Sequence, residues 1–490
     1  MTTTRPPRSR PRPAHSLVTV VGFLVAVEFA SGVLQGFYTP IFSQIADHLS
    51  ITDADVNWFE AAQLIVSALC VPLLARLADL VGHKKVLLIS TAVTALGSWI
   101  LVLAPSFTTF LIGWALQGAY VVWLPIEVAI VYRRTAGTGR QGVLTRRAAG
   151  VLVGALELSV IIGAVTSGAL VESWSMPALL SLPAIVVTAC LLLIWWGIED
   201  LPGTSTGGID WRGYALITAS LGLVMTGLIA VRLDGPGSPV PWLFITAGLL
   251  VLVPFVRHSA SIEDPVVDVR LLATPAQWPV QLTAFLFGMS VLGAQIPLST
   301  FAQTEPSEVG YGLGAEASFV SLLVAGYVIA MAVGAFTLPL TSRWFGARGA
   351  LILGCLLVAL GYGLFLPFHD STAQTLANMM VAGIGSGALV AALPAAAASA
   401  APPERTGFAT GMTNAIKTVG GAIASSIFAI ALASTGSLGE PAAGHAPLSG
   451  YLTVWAVCSV SALVAAACLL LAPKHVFERA DEVEDVLPAV

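Results

Sequence analysis

Charge is what this chain has least of. Asp, Glu, Lys and Arg make up 10% of its 490 residues, against about 25% in an ordinary soluble domain. So little polar surface cannot cover a globule of this size, which excludes a soluble enzyme or binding domain. Cysteine is scarce too. Cys70, Cys190, Cys355, Cys458 and Cys468 all lie in apolar runs without metal or redox spacing, and read as small core residues. The seven histidines fall in loops or near the ends of apolar runs, so no metal site is expected. No G-x-x-x-x-G-K-[S/T] loop occurs, which argues against ATP drive. Gly383-Ile384-Gly385-Ser386-Gly387 sits within an apolar run with no preceding strand, and reads as helix packing. No cleavable signal is evident, because the first apolar run is too long for one and lacks a clear cleavage site.

Long apolar runs fill the chain instead. It is 56% hydrophobic with a mean hydropathy of +0.87. Stretches long enough to cross a bilayer fall near 17–40, 57–78, 85–104, 107–132, 148–170, 177–198, 212–232, 241–257, 277–299, 316–340, 349–367, 372–394, 407–433 and 450–472. The expected fold is an all-α integral membrane protein with fourteen transmembrane helices. Residues 1–16 form a disordered basic tail carrying Arg5, Arg8, Arg10 and Arg12, and 473–490 an acidic tail.

Lys and Arg set the orientation. With both termini in the cytosol, 20 of the 22 basic residues fall in the tails and inner loops. Arg232 alone lies outside and Lys417 lies within a span. The outer loops then carry Asp47, Asp53, Asp55, Glu172, Asp234, Glu305 and Glu308.

The densest charge lies at Ala75–Leu88, between the second and third spans, where Arg76, Asp79, Lys84 and Lys85 crowd round Gly82. Gly82 permits the tight turn. The stretch resembles the G-x-L-a-D-r-x-G-r-k signature of the major facilitator superfamily of transporters. Leu77, Asp79, Gly82, Lys84 and Lys85 fit it, while Ala75, Leu80 and His83 depart from it. The resemblance implies a cytosolic latch in which Asp79 caps and pairs with neighbouring helix ends. A weak repeat supports two related halves. In Thr341–Arg348, Gly346 matches Gly82 and Arg343 stands where Asp79 stood. Six-helix halves at 17–198 and 277–472 then flank a two-helix insertion within 199–276, the architecture of halves that rock about a midplane site.

Further stretches resemble the 14-helix drug:proton antiporter branch. They are Gly208 to Gly213, Gly235-Pro236 to Trp242, and Pro402-Pro403-Glu404-Arg405-Thr406-Gly407 followed by Asn414, Lys417 and Gly420-Gly421. In the fifth span, Ser159, Gly163, Ala164, Ser167 and Gly168 fall on the antiporter signature g-x-x-x-G-P-x-x-G-G-x-l. The resemblance implies close helix packing that seals one side of a cavity. Two departures stand out. Gln117-Gly118 fit R-x-x-Q-G in the fourth span, but Trp114 replaces the Arg. Ser31 replaces an Asp nine residues before Pro40, with Glu28 one turn earlier.

A charge at the bilayer centre is costly, so intramembrane ionisable residues are functional candidates. Glu28, Glu157 and Glu127 are expected to carry proton coupling, with Lys417 as their charge partner. Glu60 is expected to sit in water at an outer helix end. Ser31, Gln35, Tyr38, Trp114, Gln117 and Trp123 are expected to line a substrate cavity, although aromatics in membrane proteins also serve as anchors and packing.

The function expected is export of small lipophilic or cationic compounds, drugs or dyes, in exchange for protons by alternating access. It needs no cofactor beyond the proton gradient. The partners are a small-molecule substrate, protons and the lipid bilayer, with no nucleic acid. The chain is expected to work as a monomer in a bacterial cytoplasmic membrane, and not as an enzyme. The alternative is a dedicated carrier of one metabolite, lipid or peptide without proton coupling, favoured by the missing Arg in the fourth span.

Overall fold

A computed structural model describes residues 17–135, 141–200, 203, 208–402, 405–434 and 446–471. The tails at 1–16 and 473–490, Arg140, Pro403 and Glu404 lie outside the described residues. Every regular element among the described residues is helical. In chain order they are α1 (Leu17–Gly36), α2 (Phe42–Leu49), α3 (Asp53–Val81), α4 (His83–Leu103), α5 (Phe107–Gln117), α6 (Trp123–Arg134), α7 (Gln141–Leu170), α8 (Met176–Gly197) and α9 (Trp211–Asp234). There follow α10 (Pro239–Ser261), α11 (Val269–Leu272), α12 (Trp278–Val291), α13 (Gln295–Gln303), α14 (Pro306–Val309), α15 (Ala317–Leu364), α16 (Thr372–Ser399), α17 (Thr406–Ser434) and α18 (Leu448–Leu471).

Thirteen helical segments are long and apolar enough to cross a membrane. One of them, α15, runs 48 residues and breaks at Gly346, where φ is 70° and ψ 165°. Divided there, the thirteen become the fourteen spans read from hydropathy. Gly82 turns the chain between α3 and α4 with φ 107° and ψ 140°. Both glycines adopt a positive φ that a side chain would strain, so the turn recurs at matching places in the chain.

Three spans are less regular than hydropathy implies. Short 3₁₀ turns at Thr39–Ile41, Gly118–Val122 and Leu292–Ala294 interrupt the first, fourth and ninth. Pro40, Pro125 and Pro297 lie in or just after these turns. Proline lacks the amide that would continue the i→i−4 ladder, so the helix tightens before it.

The buried side chains form two main cores. One draws on residues from Val20 to Ile198, and the other on residues from Val280 to Leu469. The paired helices α9 and α10 pack on each other through Ser220, whose hydroxyl donates to the Gly248 carbonyl at 2.8 Å. Met225 and Leu228 of α9 then pack beside Trp58, Ala61 and Ala429, at the seam between α3 and α17.

The ends of the bundle differ in charge. The basic end holds Arg76, Lys84, Lys85, Arg133 and Arg134, and the acidic end Asp47, Asp53 and Asp55. Direct hydrogen bonds between the halves cluster at the acidic end. Gln44 Nε2 donates to Gln303 Oε1 at 2.7 Å, Ser299 Oγ to the Thr39 carbonyl at 2.6 Å, and Gln303 Nε2 to the Pro40 carbonyl at 3.2 Å. Ser321 Oγ of α15 donates to the Ala164 carbonyl of α7 at 2.7 Å. The acidic end is closed.

Candidate functional site

The ionisable residues within the spans sort into two groups. Glu28 on α1 and Glu127 on α6 are both fully buried. Their carboxyl groups lie within electrostatic reach of each other. None of the four oxygens has a hydrogen-bond partner among the described residues. The expected charge partner Lys417 is not there.

Lys417 is in the second half, and its electrostatic partner is Glu157 of α7 across the interface. The pair is not in salt-bridge contact. Lys417 borders a small cavity of about 30 Å³ together with Asn414, Thr413, Phe287 and Leu393. Thr413 is already engaged, accepting from Gln281 Nε2 at 3.2 Å and donating to the Ala409 carbonyl at 2.9 Å. Glu60 is not in open water. It is half-buried on α3, and both it and Glu28 lie within electrostatic reach of Tyr120.

The residues expected to line a substrate cavity are mostly enclosed. Ser31, Tyr38, Trp114, Gln117 and Trp123 are buried, and only Gln35 is exposed. Gln117 Nε2 donates to Tyr38 OH and Ser98 Oγ, each at 2.9 Å, and Trp123 Nε1 to Ser90 Oγ at 3.1 Å. Trp114 meets Tyr38 edge-on at 4.6 Å between ring centres and stacks with Phe110 at 5.8 Å. The space where the branch carries an Arg is thus filled by an aromatic cluster, which cannot stabilise a charge as a guanidinium pair does. The small cavity belongs to the second half, where Asn414 and Lys417 were singled out by the branch resemblance and as a charge partner but not as cavity lining. Its sequence signals are Pro394 inside a span and Asn414 one turn from Lys417.

The small residues of α7 do bring helices together. A methyl placed on Gly32 of α1 would lie 1.9 Å from Ser159 Oγ, and one on Gly36 2.0 Å from the Val160 carbonyl. One on Gly163 would meet the α1 backbone at Val33 and Phe37, and one on Gly168 would lie 2.1 Å from Ser321 Oγ and 2.9 Å from the Ala317 carbonyl. Ala164 and Ser167 are fully buried. With Ala164 in place of Pro, α7 runs unbroken from Gln141 to Leu170.

At the basic end the loop charges are tied down, but not through Asp79 as expected. Asp79 faces His83 at 3.9 Å and is half-exposed, with no other ion pair among the described residues. The basic residues make the ties instead. Lys84 Nζ donates to the Trp195 carbonyl at 2.9 Å, Lys85 pairs with Asp200 at 3.8 Å and Arg76 with Asp264 at 3.7 Å. Arg134 pairs with Glu199 at 2.5 Å. Gly203 packs so tightly on Leu80 that a methyl there would lie 2.2 Å from its carbonyl oxygen.

Asp210 anchors the start of the inserted pair. It accepts from His258 Nε2 and the Gly213 amide, each at 2.8 Å, and from the Val266 amide at 3.4 Å. Burial pushes its carboxyl up, but the His258 bond and the two amides outweigh that and hold it below the usual range. The segment after α10 is a strap. Asp264 reaches Arg76 of the first half, and Asp268 pairs with Arg405 ahead of α17 at 3.6 Å.

A family model described as Major Facilitator Superfamily matches residues 24–425 and 280–488. The cephamycin export protein CmcT of Amycolatopsis lactamdurans is 28% identical over 402 residues, covering 80% of each chain. The uridine/deoxyuridine transporter of Lactococcus lactis subsp. cremoris (strain MG1363) is 24% identical over 367 residues, covering 73% of this chain and 74% of the relative. The solved structure of the POT family transporter PepTSo superposes with a TM-score of 0.66 at 13% identity, over 96% of this chain and all of the other. That likeness concerns the fold alone.

Proposed function

Because the chain belongs to the Major Facilitator Superfamily of transporters, we propose that it is a secondary active exporter of small lipophilic compounds, driven by proton exchange through alternating access. The observation that carries this is the Glu28–Glu127 pair, buried with no hydrogen-bond partner among the described residues. Retaining two carboxyl groups in an apolar bundle is costly unless they are used. A buried carboxyl pair changes its charge when it gains or loses a proton. A charged and a neutral pair favour different degrees of water access, which supplies the energy difference a two-state transporter needs.

The halves 17–198 and 277–472 are the moving units, with the acidic end closed and outermost and both termini in the cytosol. Charge placement supports that orientation, and a bacterial cytoplasmic membrane as the site. The chain works as a monomer in this reading. We favour lipophilic over cationic substrates, because the acids that would attract a cation face each other. The relative named as a cephamycin export protein supports export as the direction of transport.

A second reading, a dedicated carrier of one metabolite, is favoured by Trp114 in place of the branch Arg and by the uridine/deoxyuridine transporting relative. Purified protein in proteoliposomes separates the two. A lipophilic dye should accumulate only with an opposing pH gradient, and a protonophore should abolish accumulation. Dye movement indifferent to the gradient and to the protonophore would exclude proton exchange.

A further inference from the structure

The small cavity in the second half joins a cation to an apolar wall. Lys417 and Asn414 project from the same face of α17, one turn apart. Neither makes a hydrogen bond or salt bridge to a described residue, although both line the cavity. Lys417 is balanced only at longer range, by Glu157 on the opposite half. It stands eleven residues beyond Thr406, about 17 Å along α17 at 1.5 Å per residue, and so deep in the membrane. Phe287, Leu389 and Leu393 supply the apolar wall. Pro394, inside α16, has no amide to donate to the Val390 carbonyl, and both residues line the cavity.

We propose that this cavity is the anchor for an anionic group, a carboxylate in particular, on an otherwise lipophilic substrate. The cavity's volume, about 30 Å³, admits a head group and not a whole drug, so the apolar body lies toward the interface between the halves. Lys417 and the Asn414 amide together offer charge-assisted donors to a two-oxygen acceptor. An unpaired ammonium repels a cationic head group. The substrate carboxylate takes over the counter-charge role that Glu157 fills when the cavity is empty. Since Glu157 belongs to the other half, its release changes what holds the halves together. The proposal rests on the chain being a transporter and not on proton exchange.

The test is binding of rhodamine B and its ethyl ester, which differ by one carboxylate, to full-length protein in detergent at neutral pH, read by dye anisotropy. Rhodamine B should bind on the order of 10-fold more tightly than the ester, as a charge-assisted contact in a poorly hydrated site gives. Lys417→Ala should abolish the preference while the ester still binds, and Lys417→Arg should retain part of it. Glu157→Gln should tighten rhodamine B binding, a gain that misfolding cannot produce. The proposal is overturned if the wild type shows no preference or binds neither dye. It is also overturned if the preference survives Lys417→Ala, or if Glu157→Gln weakens it. No pH gradient is present, so a failure here is distinct from a failure of proton exchange.

Discussion

Single residues decide the chemistry at Glu28 and Glu127. Each is buried, and neither carboxyl has a hydrogen-bond partner among the described residues. Glutamine keeps the shape and hydrogen-bonding capacity but cannot release a proton. Glu127→Gln should therefore let the carboxamide donate to Glu28, leaving the fold intact while proton-driven dye accumulation is lost. Downhill exchange of dye should continue. Proteoliposome transport with and without a pH gradient checks this. Full accumulation in both Glu28→Gln and Glu127→Gln proteins would put the proton path elsewhere, with Glu157 next in line. Asp79 teaches the complementary lesson. It matches the signature loop by position, yet in this conformation Arg76, Lys84 and Lys85 make the inter-helix ties.

At the scale of elements, α1 and α7 are held together by missing side chains. Gly36 faces a backbone carbonyl at a distance no methyl can share, and backbone cannot move aside as a side-chain tip can. Gly36→Ala should destabilise the protein by about 1–3 kcal/mol through overpacking. Gly22→Ala in the same helix should be neutral, since nothing lies within 4 Å of a methyl there. Thermal unfolding in detergent compares the two, and equal midpoints would remove the packing argument.

The strap after α10 makes a pH prediction. The Asp210 carboxyl is held below its usual range, so its stabilising bonds to the insertion are complete above its ordinary value of about 4. They are lost as pH falls through the depressed value. Hydrogen exchange at the Val266 amide, corrected for intrinsic pH dependence, should be flat from neutral pH to about 5 and accelerate at lower pH. Asp210→Asn should show the accelerated exchange already at neutral pH. Unchanged protection in that variant would show that Asp210 does not hold the strap.

For the whole molecule the decisive feature is the hydrogen-bonded seam at the acidic end. Gln44 donates to Gln303, Ser299 donates to the Thr39 carbonyl and Gln303 donates to the Pro40 carbonyl, and these bonds join the first span to the ninth. Alternating access requires this seam to part. In a background without the five native cysteines, Gln44→Cys and Gln303→Cys joined by a disulfide should stop transport, and a reductant should restore it. Undiminished transport by the cross-linked protein would show that the acidic end does not open in the cycle.

The sequence by itself determined the class of the protein and the number of its spans, because hydropathy and charge act locally along the chain. Twenty apolar residues mark a crossing whatever surrounds them, and Gly346 marks a turn even where the helix on either side runs on. The small-residue stripe of α7 was legible for the same reason, since a side chain's size is a property of one position. Tertiary structure alone decided which ionisable groups meet. Glu28 and Lys417 were each legible as costly residues. That Glu28 faces Glu127, and Lys417 faces Glu157, depends on how each helix is rotated about its axis. One residue turns a helix by about 100°, so small shifts in packing carry a side chain from cavity to core. Trp114 and Tyr38 moved from expected cavity lining to an aromatic core in this way, and the small cavity beside Lys417 is lined from α12, α16 and α17, which meet only in the folded bundle.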